Sequence, residues 1–143
     1  SSISSILGLF NTTVRPGIEL MLDLAHGREA CAWADVIITG EGSIDSQTPY
    51  GKVPSGIAKL AQSQGKPTIA IGGTVTRDPH TIEALNETGI VATFGIAPGP
   101  ADLATLIANT ERNVEITCAA IAGTLRVAPA TTVTAATSPC ESA

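Results

Sequence analysis

The sequence predicts an α/β fold, a parallel β-α-β-α-β sheet covered by helices, and three observations carry the prediction. Val36-Ile37-Ile38-Thr39, Thr68-Ile69-Ala70-Ile71 and Ile90-Val91-Ala92-Thr93-Phe94 are short runs rich in β-branched residues. Each run is almost continuously apolar, as strands covered on both faces require, whereas one wet face would impose alternation. Helix start and stop signals stand between the runs.

The elements follow in order. Ile3, Ile6, Leu7 and Phe10 suggest a first helix, Pro16 to Leu22 begin another, and Trp33 closes a third short segment. After the first strand, Pro54 suits an initial helical position, Ile57, Leu60 and Ala61 recur at helical spacing, and Gly65 terminates the turn before Lys66-Pro67. Asp78-Pro79 repeats the start signal, Ile82 and Leu85 supply an apolar face, and Gly89 ends that helix before the third strand. A final helix from about Pro100 to Leu125 carries Leu103, Ile107, Val114, Cys118, Ile121 and Leu125 at helical intervals, a stripe expected to pack on the sheet. Beyond Val127 the stretch APATTVTAATSPCESA has almost no large apolar side chain to offset the entropy of ordering. The expected organisation is an α/β portion over 1–126 and a flexible tail over 127–143.

Composition narrows the function. The chain has 143 residues, 43% hydrophobic and 15% charged, with four aromatics, so its core must come from Ile, Val, Leu and Ala. Its net charge is -5 and its eight Lys and Arg residues are scattered singly, which argues against nucleic acid and anionic membrane as partners. No apolar run approaches the roughly 18 residues of a membrane span. Cys31, Cys118 and Cys140 share no metal-type spacing and read as reduced thiols, hence a cytoplasmic setting. Ser1 opens with neither an initiator Met nor a charged leader, so the chain reads as a segment of a longer one.

Chemistry-bearing residues collect where the first strand gives way to a helix. Ligands of open parallel sheets sit beyond the carboxyl ends of the strands, and here those ends read Thr39-Gly40-Glu41-Gly42-Ser43, Gly72-Gly73-Thr74 and Gly95. Glycine there lets the backbone approach a ligand closely. Lys52 precedes Pro54 at a helix start, where the macrodipole disfavours a cation. A bound phosphate would reverse that sign, and a solvated lysine pointing away is the alternative. Glu41 and Asp45 stand among the hydroxyls of Ser43, Ser46 and Thr48, a combination that suits phosphoryl transfer: a carboxylate for Mg²⁺ or a hydroxyl proton, with donors and a cation for phosphate. The alternative is an Asx-turn at Asp45 with Glu41 solvated.

Neither common nucleotide signature is present. GxxxxGK[ST] fails because Ser46 stands five residues before Gly51 and Val53 follows Lys52; GxGxxG fails at Asp45. His26 and His80 lack partners at metal or triad spacing and read as surface or capping residues. In the polar loop Thr74, Thr76, Arg77 and Asp78, the arginine could reach a phosphate, although an Asp78 helix cap with a solvated Arg77 is the simpler reading.

The run DVIITGEGSIDSQTPYGKVPSGIAKLAQSQGKPTIAIGG resembles the two-domain bacterial glycerate kinases that make 2-phosphoglycerate, through GEGSIDSQT, GKVPSGIAKLA and KPTIAIGG. Weaker likeness runs from about Arg15 to Ile121. The resemblance implies ATP-dependent phosphorylation of D-glycerate with Mg²⁺ in the cytoplasm, on a Rossmann-like, flavodoxin-like domain that is part of a larger two-domain fold. It implies Asp45 and Lys52 as catalytic residues, Asp45 also as metal carboxylate. It implies Gly40, Glu41, Gly42, Ser43, Ser46, Gln47, Thr48, Gly72 and Gly73 as the substrate and nucleotide cleft. Only the family's C-terminal part matches, so the segment alone is expected to be inactive; Ser1 to Ile6 replace a Gly- and Ala-rich stretch of the family, which speaks against phosphate binding by that region, and a homodimeric state stays open. A non-catalytic module that binds a small anion or a partner chain is the competing reading, and a decayed homologue is a third.

Overall fold

A computed structural model describes residues 22–23 and 26–127 of the chain. Two compact units divide it, the first ending at Pro100 and the second beginning at Ala101. The expected helices over Ile3 to Phe10 and from Pro16, the tail beyond Val127, and Cys140 lie outside the described residues.

In the first unit, α1 (Gly27–Trp33) is followed by β1 (Ile37–Ile44), a 3-10 turn (Thr48–Tyr50), α2 (Val53–Ser63), β2 (Thr68–Val75), α3 (Pro79–Glu87) and β3 (Ile90–Gly95). The strands form one parallel sheet in the order β1-β2-β3. The predicted β-α-β-α-β order therefore stands, as does the α/β class.

Both of the first two strands run further than their β-branched cores. β1 continues through Gly40-Glu41-Gly42-Ser43 to Ile44, and β2 through Gly72-Gly73 to Val75, because the two extensions pair with each other: Glu41 opposite Gly72, Ser43 opposite Thr74, Ile44 opposite Val75. What reads as a loop from Gly40 onward is strand as far as Ile44.

The glycines serve this pairing. A Cβ on Gly73 would lie 2.8 Å from the Gly42 carbonyl oxygen, and one on Gly72 would lie 2.9 Å from both Ile44 Cγ1 and the Thr74 carbonyl oxygen. Strict alternation would send Ala70 and Val75 to opposite faces. Instead Ile44, Ala70, Leu85, Ile90 and Ala58 share one buried cluster with Val75 against it. The β1–β2 register is the same on both sides of Gly42 and Gly73, so the two strands leave strict alternation together there, a joint rotation. The result aims Ile44 into the core, and Ile44, Leu85 and Ile90 are all at most 1% exposed. Each such side chain contributes about 1.5–3 kcal/mol of burial. A smaller cluster of Cys31, Leu60 and Ala61 joins α1 to α2, with Leu22 and Ile37 against it.

The helices start and stop where their signals stand. Asp78 caps α3, accepting from Thr81 N at 2.9 Å and Thr81 Oγ1 at 2.6 Å. Gly65 and Gly89 follow α2 and α3 at φ +71 and +97. The Thr81 hydroxyl, then its backbone N–H, hold the Asp78 carboxyl below its ordinary value of 3.8. A lowered folded-state pKa gives stability that is present above 3.8 and lost as pH falls through the folded value. Asp78→Asn should accordingly lower the urea midpoint at pH 7 and lessen its further drop on going to pH 3, as fluorescence-monitored unfolding would read.

The second unit departs from expectation. The single helix predicted from Pro100 to Leu125 is two, α4 (Leu103–Ala108) and α5 (Thr110–Val127). Asn109 closes α4, its side-chain amide donating to the Thr105 carbonyl at 2.8 Å, while the Thr110 hydroxyl donates to the Leu106 carbonyl. Short polar side chains that bond the preceding turn compete with helix propagation. Leu103 and Ile107 are 71% and 63% exposed, so the expected burial of the stripe fails at these positions.

Candidate functional site

The carboxyl edge of β1 and β2 carries a hydrogen-bonded cluster centred on Asp45. The Lys52 ammonium lies 3.1 Å from both Asp45 oxygens. Oδ1 also accepts from the Gln47 N–H at 2.9 Å, and Oδ2 from the Ser43 hydroxyl at 3.4 Å. Thr74, on the neighbouring strand, donates its hydroxyl to Ser43 Oγ at 3.0 Å.

Local folding brings these groups together. Asp45 N donates to Thr48 Oγ1 at 3.0 Å and Thr48 N to the Asp45 carbonyl at 3.0 Å, so the chain turns at once after Ile44. Thr48 is fully buried under that turn. The 3-10 turn then ends at Gly51, whose φ of +110 suits glycine. Lys52 follows as the N-cap of α2 in extended conformation, and its side chain reaches back over the turn to Asp45. The Asx-turn and the lysine reading thus prove to be parts of one arrangement: Asp45 makes the turn bond to Gln47 N and holds the ammonium as well. The cation at a helix start is offset by a carboxylate rather than pointing away.

The first cause of the low Asp45 pKa is the Gln47 N–H, followed by the Lys52 ammonium, with the Ser43 hydroxyl adding to them; together they hold the carboxyl below its ordinary 3.8. Such a group stays ionised at neutral pH and is a weak base. Lys52 and Asp45 side chains are 29% and 42% exposed, so the pair sits at a surface that a ligand can reach.

Glu41 differs from the rest. Its Oε2 is buried and has no hydrogen-bond partner among the described residues, a state that costs free energy unless something donates to it. It lies on β1 opposite Gly72, with no hydrogen bond to the Asp45 cluster. Ser46 and Gln47 are exposed on the turn. Among the glycines, Gly42 has open space where a Cβ would stand. Gly40, Gly72 and Gly73 face protein atoms instead, Gly40 through Ile71 Cγ1 at 3.1 Å.

Thr74, read from the sequence as part of a polar loop after the second strand, lies on β2 itself and enters the site through its register opposite Ser43. Ser55 lies outside the set singled out from sequence: buried, it donates to the Lys52 carbonyl at 2.9 Å and fixes the N-cap; a hydroxyl at the third helical position was its signal. His26 is the exposed N-cap residue of α1, His80 and Arg77 are exposed, and Cys31 and Cys118 are free. Among the described residues no three His, Cys, Asp or Glu side chains gather as a metal cage, and no helix is long and apolar enough to cross a membrane.

A parallel sheet with a polar cluster at its carboxyl edge places the chain among α/β proteins whose sites lie at strand ends. The particular family follows from comparison: the model of the glycerate kinase family matches residues 4–126, and the chain belongs to that family. It is 38% identical over 125 residues to the glycerate kinase of Bacillus cereus and 36% identical over 124 residues to that of Bacillus subtilis. Each match covers 87% of this chain and 32% of the relative, so the chain spans about a third of the length of these curated relatives. A crystal structure assigned as glycerate kinase 2 from Salmonella typhimurium LT2 superposes with a TM-score of 0.61 at 35% identity, covering 86% of this chain and 30% of that one.

Proposed function

We propose that this chain supplies the strand-end site of an ATP-dependent kinase that phosphorylates D-glycerate to 2-phosphoglycerate in the cytoplasm, and that it needs the remainder of a full-length chain to turn over. The observation that carries the reading is the Asp45–Lys52 pair at the start of α2, at the carboxyl edge of the sheet.

Each residue then has a task. Lys52 meets phosphate oxygens together with the first N–H groups of α2, where charge and helix dipole attract the same anion. Asp45, ionised and anchored by the turn, keeps the ammonium in place. This task suits its low pKa better than proton abstraction does. Glu41 Oε2, which lacks a donor among the described residues, is an acceptor for a substrate hydroxyl. Ser46, Gln47 and Thr48 form the turn over which the ligand lies. In the transfer, a glycerate hydroxyl oxygen bonds to the terminal phosphorus as its proton passes to the Glu41 carboxylate that accepts from it, the bond from that phosphorus to the bridging oxygen of the departing ADP breaks, and Lys52 offsets the charge that develops.

Mg²⁺ fits only in part. It takes one or two carboxylates and completes its shell with phosphate oxygens and water, and Glu41 offers such an oxygen while both Asp45 oxygens are occupied by Lys52. The bound ion would neutralise phosphate charge.

Turnover tests the reading. A chain of the relatives' full length carrying this segment should convert D-glycerate and ATP to 2-phosphoglycerate, read by phosphorus NMR, whereas residues 1–143 alone should not. Phosphate binding without turnover by the full-length chain would support the non-catalytic module instead.

A further inference from the structure

We propose that Thr74 is a positioning residue of this site: its hydroxyl, donated to Ser43 Oγ at 3.0 Å, commits the Ser43 proton to Asp45 Oδ2 and so orients the carboxylate that holds Lys52. Thr74 touches neither Asp45 nor Lys52 by hydrogen bond; it acts through a residue on another strand.

With the Ser43 proton on Asp45, Thr74 is the donor to Ser43 and the chain of donation runs one way. A serine hydroxyl has one proton and rotates to suit its neighbours. Once Ser43 Oγ accepts from Thr74, its own proton must point elsewhere, and Asp45 Oδ2 at 3.4 Å is the acceptor it meets. That distance is long for an O–H···O bond, and a donor to Ser43 Oγ strengthens it by polarising the Ser43 O–H. Thr74 is fitted to be that donor. It stands directly opposite Ser43 in the β1–β2 register, and its β-branched side chain has few rotamers. The joint rotation of the two strands at Gly42 and Gly73 brings both hydroxyls to the carboxyl edge together. Lys52 is the charged side chain hydrogen-bonded to Asp45; the Gln47 N–H completes its donors.

The relay itself does not depend on the kinase reading, but its consequence for rate rests on it. The first measurement is the Asp45 carboxyl titration in the 143-residue chain, followed by carbon NMR. Thr74→Val should raise the midpoint, and Thr74→Ser should restore it. In a Ser43→Ala background Thr74→Val should have no further effect, since the path is already cut. An unchanged midpoint in Thr74→Val, or an equal rise in both backgrounds, overturns the proposal while leaving the kinase reading intact. The second measurement uses the full-length chain, where Thr74→Val should lower kcat about fivefold with KM for ATP unchanged. If the titrations behave as expected and kcat does not move, the relay stands and the catalytic role of Asp45 falls.

Discussion

Lys52→Met in a full-length chain carrying this segment should lower kcat for D-glycerate phosphorylation by about 10²–10³-fold, the range for removing one electrostatic stabiliser of developing charge. The side chains are similar in length, so the change removes the ammonium and leaves the apolar stem. After the Gln47 N–H, the Lys52 ammonium holds the Asp45 carboxyl low, and its loss should move the Asp45 titration upward, a readout independent of activity. Lys52→Arg should recover part of the rate only, because a planar guanidinium does not reproduce an ammonium that lies 3.1 Å from both carboxylate oxygens. A Lys52→Met enzyme within about threefold of the parent would remove Lys52 from the mechanism.

Gly73→Ala should have the largest effect on the sheet. The added methyl carbon would sit 2.8 Å from the Gly42 carbonyl oxygen, closer than such atoms can approach, and both are strand backbone that cannot swing aside. Over-packing of this kind costs about 1–3 kcal/mol, enough to lower a urea midpoint clearly. Gly42→Ala is the matched control, since a Cβ there meets nothing within 4 Å. Equal stability of Gly73→Ala and the parent would show that the strands can separate locally, and the account of their joint rotation would be wrong.

Much of the fold was legible because local signals and burial agree. The β-branched runs Val36 to Thr39, Thr68 to Ile71 and Ile90 to Phe94 lie inside the observed strands except for Val36, which precedes β1, and Asp78, Gly65 and Gly89 stand at helix ends. Strand ends were misjudged because Gly40, Gly42, Gly72 and Gly73 have low strand propensity and are kept extended by pairing across the sheet, a non-local cause. The break at Asn109 depends on two side-chain bonds to the preceding turn that an apolar stripe does not report. In the site, the misplaced cation at Lys52 was the most informative single signal. Its partner was harder to read, since a contact seven residues apart requires the tight turn at Thr48 and the left-handed Gly51 between them.

The Ser43–Thr74 bond is made between residues 31 positions apart, across a complete α2 crossover. A partly folded chain with its turn formed but β2 still undocked would have the aspartate and lysine already paired and the hydroxyl tie unmade. Long-range strand contacts are the slow step of parallel sheets, so the tie should be among the last interactions to close and the first to open. Amide hydrogen exchange at Ser43 and Thr74 would then serve as a clock for local opening of this edge, and an anion seated on it would slow that clock.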